Sequence, residues 1–197
     1  MKKTILIATH NKGKARELKE AFSSLPCDFI SLDDLNVKED CEETQDTFVG
    51  NALQKADFYH DLTGYPTISD DSGLEVVALD NAPSVYSARW TGEHADDKTN
   101  CAKLVEELNK KGVASSDAKY VSAMAFVDDG QTVTAIGVLE GIVKNVPSGH
   151  NGFSYDPYFY VDGKSIGDMT LEEKNKISHR SKAIKNLVKI LKLAQLV

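Results

Sequence analysis

The stretch Thr67-Ile68-Ser69-Asp70-Asp71-Ser72-Gly73-Leu74 places two adjacent carboxylates after a short apolar, β-branched start. Side chains alternate between the two faces of a strand, so Asp70 and Asp71 should point in opposite directions unless the chain turns between them. Ser72 and Gly73 are typical turn residues and predict such a turn. We therefore expect a strand that ends in a carboxylate pair, with at least one carboxylate facing a cleft.

A carboxylate pair of this kind favours a metal-assisted reaction. Like charges this close disfavour each other unless a cation intervenes, and oxygen ligands suit a hard ion such as Mg²⁺. A further carboxylate could come from Glu42-Glu43, in the acidic segment of residues 38–46. The competing explanation is that an acidic pair just before a helix stabilises the helix N-terminus on its own account.

The overall composition narrows the possible classes of protein. The chain has 197 residues, of which 41% are hydrophobic and 27% charged, as in a globular protein with one sizeable core or two lobes. A net charge of -7 argues against nucleic acid or an anionic membrane surface as the main partner, because both need a positive field. Since the sequence suggests neither a signal peptide nor a membrane span, we expect a cytoplasmic protein.

Hydrophobic periodicity predicts strands and helices in alternation along the whole chain. Short strands are expected over residues 3–8, 29–32 and 158–161, and residues 120–127 and 133–143 predict an antiparallel hairpin across Asp128-Asp129-Gly130. The predicted helices cover residues 12–25, a long segment from Phe48 to about Gly64, residues 96–109, residues 170–176 and a terminal stretch from Ser178. The pattern indicates an α/β fold with a mixed sheet.

A candidate phosphate site follows the first predicted strand. Thr9-His10-Asn11-Lys12-Gly13-Lys14 lies at a strand-to-helix junction, where exposed N–H groups and the helix dipole favour an anion and two lysines add positive charge. The spacing is not that of a Walker A loop. Taken alone, the segment is explained more simply as a capped helix with solvated lysines, but the nearby acidic motifs favour a metal-phosphate site.

A second candidate region lies toward the C-terminus. Phe153-Ser154-Tyr155-Asp156 follows Gly149 and Gly152, and two aromatic rings beside a carboxylate suit stacking on a base and hydrogen bonding to its edge. Core packing explains these aromatic residues equally well. Lys174, with Ser178-His179-Arg180 at the start of the last helix, suggests a partner anion or carbonyl, because cations at a helix N-terminus oppose the dipole.

Five motifs in order along nearly the whole chain resemble the inosine triphosphate pyrophosphatase family. They are residues 9–14, residues 69–74, Ser87-Ala88-Arg89-Trp90, residues 152–157 and Glu173-Lys174-Asn175-Lys176-Ile177-Ser178-His179-Arg180. The resemblance implies a homodimeric α/β enzyme with an elongated mixed sheet flanked by helices, in which residues 1–197 form one two-lobed domain with a central cleft. Such an enzyme would use Mg²⁺ to hydrolyse dITP, ITP or XTP to the monophosphate and pyrophosphate, which would cleanse the nucleotide pool.

The resemblance also implies roles for individual residues. Asp71 would be the general base and a metal ligand, and Glu42 the other acidic ligand, with Glu43 as a less favoured substitute. The residues expected to bind the substrate are Thr9, His10, Asn11, Lys12, Gly13 and Lys14 at the triphosphate, together with Ser72, Phe153, Ser154, Tyr155, Asp156, Lys174, His179 and Arg180. This chain departs from the usual motifs at His10, Gly50 and Ser154.

The cations Lys174 and Arg180 provide a physical reason for selection of the base. Hypoxanthine and xanthine carry an oxygen at C6 where adenine carries an amino group, and Lys174 or Arg180 can donate to that oxygen but cannot accept from the amine. An unpaired buried cation would cost on the order of a hundredfold in selectivity. Two alternatives stay open: a pyrophosphatase of modified pyrimidine nucleotides, and a nucleotide-binding protein without catalysis.

Overall fold

The computed structural model describes residues 2–92 and 95–197, and within them seven β-strands form one mixed sheet accompanied by five α-helices. This confirms the predicted α/β class. The strands are β1 Lys3–Ile7, β2 Cys27–Ser31, β3 Thr67–Val76, β4 Ser115–Asp128, β5 Gln131–Lys144, β6 Phe159–Val161 and β7 Lys164–Ser165. The helices are α1 Lys12–Ala21, α2 Phe48–Thr63, α3 Asp97–Lys110, α4 Leu171–Ile177 and α5 His179–Leu193.

The sheet is mixed because its two ends pair differently. Its strand order is β2-β1-β3-β4-β5-β6-β7. β1 pairs in parallel with β2 and with β3, whereas β6 pairs antiparallel with β5 and with β7. β4 and β5 are adjacent and joined only by Asp129-Gly130, as the predicted hairpin requires, and Gly130 takes the left-handed backbone conformation at φ 70°.

The chain divides into two compact units, each with its own apolar core. The first unit contains residues 1–71, 122–137 and 182–197, and an apolar core within it packs β1, α1 and α5 through side chains such as Ile5, Leu18 and Leu187. The second unit contains residues 72–121 and 138–181, and its core includes Leu104 and Phe159. The predicted strands and helices thus supply two sets of buried apolar residues.

Local sequence signals place the helix ends. Asn11 caps α1 by accepting from the Lys14 N–H at 3.0 Å, as expected for the first strand-to-helix junction. Thr47 caps α2, which ends at Gly64 in the left-handed conformation. α1 ends at Ala21 rather than at the predicted residue 25, because Leu25 precedes Pro26, which disfavours helical backbone. Leu25 is nevertheless 4% exposed and belongs to the core.

The turn predicted between Asp70 and Asp71 is wrong. β3 runs without a break from Thr67 to Val76, through Ser72 and Gly73. β3 lies between β1 and β4 in the sheet, and its register with β1 covers only Thr67 and Ile68. Its place beside β4 keeps the strand extended through Ser72 and Gly73 despite their local turn preference. Along the described part of the chain, no helix is both long enough and apolar enough to cross a membrane.

Candidate active site

The adjacent carboxylates Asp70 and Asp71 of β3 are both buried, at 2% and 7% exposure respectively. Their partners differ, as expected for neighbours on a continuous strand. Lys14 Nζ lies 3.2 Å from Asp70 Oδ2, and Asn51 Nδ2 donates to Asp71 Oδ2 at 3.0 Å. Burial of two adjacent charges is costly unless each is compensated, so this part of β3 is built around its partners.

Lys55 is a site residue that the sequence analysis missed. Its Nζ lies 2.5 Å from Glu43 Oε1, and both side chains are mostly buried. Burial opposes the charge on Lys55, but Asp70, Glu43 and Asp71 outweigh it and raise the pKa of the ammonium above its ordinary value. Lys55 therefore stays charged and neutralises carboxylates of both motifs. The sequence signal that could have identified Lys55 was its position one helical turn after Asn51 on α2.

The acidic segment of residues 38–46 is held by side chains of α2. Asn51 Oδ1 accepts from the Gln45 N–H at 2.9 Å, and Gln54 Oε1 accepts from the Thr44 N–H at 3.0 Å. This brings Glu43 to Lys55, while Glu42 is exposed. We call Lys14, Glu43, Lys55, Asp70 and Asp71 the charged cluster.

The two lysines of the candidate phosphate loop occupy different surroundings. Lys14 points to buried Asp70, and so belongs to the charged cluster. Lys12 has a side chain that is 85% exposed and lies 3.3 Å from Asp33. Gly13 and Asn11 are exposed at the start of α1, and Thr9 Oγ1 accepts from the Asn11 N–H at 3.2 Å. The sequence-predicted loop thus reaches the carboxylates through Lys14.

In the second unit, Asp156 organises the aromatic loop. It is 3% exposed, and its Oδ2 accepts from the Phe153 N–H at 2.7 Å and from Lys174 Nζ at 2.5 Å. A Cβ at Gly152 would lie 2.1 Å from Asp156 Oδ2, so only glycine, which also takes φ +88° there, allows the loop to close on this carboxylate. Lys174 is thus paired with a buried carboxylate of the aromatic loop.

Phe153 and Tyr155 have different environments. Phe153 is 72% exposed, with Lys174 Nζ 5.4 Å from its ring centroid. Tyr155 is 2% exposed in the core, and its hydroxyl donates to the Ser87 carbonyl at 2.8 Å. Ser154 adopts φ 47°, and its N–H donates to Asp97 at 3.2 Å. The exposed ring of Phe153 is the one placed to stack on a ligand, whereas Tyr155 supports the loop from below.

The remaining predicted residues lie on β3 and at the ends of α4 and α5. Ser72 follows Asp71 and is half-buried. His179, 8% exposed, stacks on Tyr120 with ring centroids 4.8 Å apart, and the half-buried Arg180 follows it in the first turn of α5. Lys174 lies in the last turn of α4, where its charge suits the dipole, so the dipole argument applies to Arg180 rather than to Lys174.

Fold and site together define an α/β protein with a buried, lysine-compensated carboxylate cluster and a separate loop able to hold a base. The sequence pattern of the Ham1 family matches residues 5–190, and the chain belongs to that family. This confirms the family assignment made from the motifs.

Individual proteins are similar over nearly the whole chain. A dITP/XTP pyrophosphatase of Thermoanaerobacter sp. (strain X514) is 44% identical over 185 residues, which are 93% of each chain. A dITP/XTP pyrophosphatase of Bacillus subtilis (strain 168) is 41% identical over 192 residues, which cover 96% of this chain and 97% of that protein. A HAM1 protein of Coxiella burnetii superposes with a TM-score of 0.90 at 36% identity, covering 96% of this chain and 98% of that one.

Proposed function

We propose that this protein hydrolyses non-standard purine nucleoside triphosphates, dITP, ITP and XTP, to the monophosphate and pyrophosphate. The observation that carries the proposal is the charged cluster, in which two lysines compensate buried carboxylates on one strand and one neighbouring segment. A protein that only bound a polyanion would gain little from clustered carboxylates. Relatives named dITP/XTP pyrophosphatases, similar over nearly the full length, support the same reaction.

The residues of the cluster fit a divalent cation, and we propose Mg²⁺. Its donors are carboxylate oxygens, the ligands that Mg²⁺ prefers, and Mg²⁺ uses only one or two of them while water and substrate phosphates complete its shell. Among the described residues, no group of three His, Cys, Asp or Glu side chains converges to form a complete metal site. A Mg²⁺ ion that shares its coordination shell with water and phosphate does not require such a group. Asp71 is the first proposed ligand. Glu43, held in the cluster, is a stronger candidate than exposed Glu42 for the second.

At the phosphate end, the residues of the first unit orient the attack and balance charge. Asp71, fixed by Asn51, would position a water and accept its proton. Lys14 and Lys55 compensate Asp70 and Glu43, and would stabilise the charge that collects on the departing pyrophosphate. A bound Mg²⁺ would supply neutralisation of phosphate charge and a lower pKa for the attacking water.

At the base end, Lys174 and Phe153 would recognise the purine. Lys174 keeps three N–H donors, of which Asp156 accepts one, so Lys174 can also donate to a C6 oxygen. The exposed ring of Phe153 offers a stacking face beside that ammonium. Adenine would place an amino group against the same cation, and the mismatch selects against ATP and dATP.

Four further features belong to the same proposal. A homodimer is implied by the family resemblance, and a cytoplasmic location is the expectation stated from the sequence. The acidic net charge of -7 supports the exclusion of nucleic acid as a partner. The two-lobed organisation with a central cleft also remains a prediction.

The test is pyrophosphate release from dITP, XTP, dATP and dGTP by the purified chain, each with and without Mg²⁺, with the Asp71→Asn variant in parallel. We expect strong Mg²⁺-dependent release from dITP and XTP that is lost in the variant. Turnover of modified pyrimidine triphosphates instead would move the assignment to another pyrophosphatase. Tight nucleotide binding with no release from any substrate would identify a binding protein.

A further inference from the structure

His10, in the candidate phosphate loop, contacts two groups that lie outside this loop. Its Nε2 lies 2.9 Å from the backbone carbonyl oxygen of Glu39 and 3.2 Å from the hydroxyl of Tyr59. Tyr59 donates to the same carbonyl at 3.1 Å. A carbonyl oxygen only accepts, so Nε2 of His10 carries the hydrogen, and both lone pairs of the Glu39 carbonyl are used.

Tyr59 is held firmly in this triangle, which consists of His10, Tyr59 and the Glu39 carbonyl. It is 2% exposed and lies in a small core with Leu6 and Leu32. Burial and then the nearby carboxylate of Asp40 raise the pKa of its hydroxyl to about 12, so the hydroxyl remains a donor at any pH used for assay. The two rings also meet edge to face, with centroids 6.1 Å apart.

The triangle joins three segments of the first unit that carry the proposed chemistry. Asn51, Lys55 and Tyr59 follow one another at intervals of four residues along one face of α2. Asn51 and Lys55 hold the acidic segment at Gln45 and Glu43, whereas Tyr59 holds it at Glu39. Of these three contacts, the one at Tyr59 also includes the phosphate loop, through His10.

We propose that His10 and Tyr59 form a pair of positioning residues that sets the triphosphate-binding loop against the acidic segment. The inference rests on the proposed function and assigns His10 a role different from direct phosphate contact. The imidazole Nε2 faces the Glu39 carbonyl, and the loop that it fixes carries Lys12 and Lys14. The ligand that depends on the pair is the polyphosphate, irrespective of the base attached to it.

Three variants separate the hydrogen bond from the bulk of the side chains. His10→Gln places an amide nitrogen the same number of bonds from Cα as Nε2, and can keep the bond to Glu39. His10→Asn is one bond too short, and Tyr59→Phe removes only the hydroxyl. Each lost bond should weaken polyphosphate binding about fivefold, since one such hydrogen bond is worth about 1 kcal/mol.

The experiment measures binding of inorganic triphosphate by calorimetry and steady-state kinetics with dITP, XTP and dATP. We expect His10→Asn and Tyr59→Phe to weaken inorganic triphosphate and to raise KM about fivefold for all three nucleotides, with kcat changed much less and base selectivity unchanged. His10→Gln should restore most of the loss. The double variant His10→Asn/Tyr59→Phe should lose less than the sum of the single losses, because both residues act on one carbonyl.

Unchanged triphosphate affinity in His10→Asn and Tyr59→Phe would overturn the inference, and so would a loss in kcat alone. Failure of His10→Gln to restore binding, with an equal fall in melting temperature in all variants, would reduce the pair to a structural role and also overturn it. The proposed function fails separately, if the unaltered chain binds inorganic triphosphate but releases no pyrophosphate from any nucleotide.

Discussion

The side-chain amide of Asn51 links Asp71 to the acidic segment: Nδ2 donates to Asp71 Oδ2 at 3.0 Å, while Oδ1 accepts from the Gln45 N–H at 2.9 Å. Asn51 has no exposed surface, so its amide has one orientation that satisfies both partners. The carboxylate proposed as the base and the segment that carries Glu43 are thus fixed by one side chain. A substitution that displaces the acidic segment should therefore also displace Asp71, and the reverse should hold as well.

Replacing the proposed base should remove turnover without removing the fold. Asp71→Asn keeps the size of the side chain and an oxygen that accepts from Asn51. It loses the negative charge, however, and with it the ability to take a proton. We expect kcat for dITP to fall by about 10² to 10⁴, the usual worth of a general base. Asp61→Asn, at an exposed position of α2, is the matched control and should be unaffected. A near-normal rate in Asp71→Asn would end the assignment of Asp71.

Removing the cation on α2 should damage both stability and catalysis. Lys55→Met removes the ammonium that pairs with Glu43 and that helps Lys14 to compensate the buried carboxylates of β3, which should cost about 2 to 3 kcal/mol of unfolding free energy at pH 7. Lys185→Met, exposed on α5, should cost almost nothing. Urea unfolding of both variants and of the unaltered chain measures the difference.

The same residue gives a pH dependence with a defined sign. The folded-state pKa of Lys55 is raised, so its contribution to stability is fully present below the ordinary value of 10.5 and is lost as pH rises through the folded-state pKa. The stability gap between the unaltered chain and Lys55→Met should therefore be constant through the neutral range and close only in strong alkali. A gap that closes between pH 6 and 8 would show that Lys55 is not the group responsible.

The sequence was sufficient for the motif residues of the site but not for their partners on α2. Asp70, Asp71 and Lys14 stand in recognisable motifs. Asn51 and Lys55 lie in a helix whose pattern reads as ordinary amphipathic packing, and their role depends on which strand that helix packs against. Helical spacing puts them on one face, but only the fold shows that Asp71 and Glu43 lie opposite that face.

The fold was predicted best in segments with a long hydrophobic periodicity. It was predicted poorly where pairing between strands, rather than the local sequence, determines the structure. The helix from Phe48 to Thr63 and the β4–β5 hairpin follow from apolar spacing and turn residues. The turn predicted at Ser72-Gly73 was wrong because β3 continues as an extended strand beside β4. β7, with two residues, is too short to leave a periodic signal.

Removing the ammonium proposed to read the base should relax selectivity. Lys174→Met deletes the donor for a C6 oxygen, so kcat/KM for dITP should fall about tenfold to a hundredfold, while that for dATP should hardly change. It also leaves Asp156 buried without its cation, so stability should fall as well. Lys176→Met, on the same short helix and with a side chain 67% exposed, is the matched control. Equal losses for dITP and dATP would indicate that Lys174 only supports the loop.

The glycine at position 50 should resist substitution although it lies inside a helix. Alanine normally gains about 1 kcal/mol over glycine in a helix, but overpacking costs about 1 to 3 kcal/mol. A Cβ at Gly50 would lie 2.8 Å from Gln45 Cβ and 3.0 Å from Thr47 Oγ1, the hydroxyl that caps α2. Gln45 Cβ can yield only if its backbone moves, and that backbone is bonded to Asn51. We therefore expect the cost of this clash to exceed the gain in helix propensity.

We expect Gly50→Ala to lower the unfolding free energy by about 1 kcal/mol and to raise the Mg²⁺ concentration for half-maximal activity, because the displaced segment carries Glu43. Asp57→Ala, exposed on the same helix, isolates helix propensity and should be neutral or slightly stabilising. Chemical unfolding and Mg²⁺ titration of activity test both effects. If Gly50→Ala were the more stable protein with unchanged Mg²⁺ dependence, the close packing of Gln45 against α2 would not be what keeps glycine at this position.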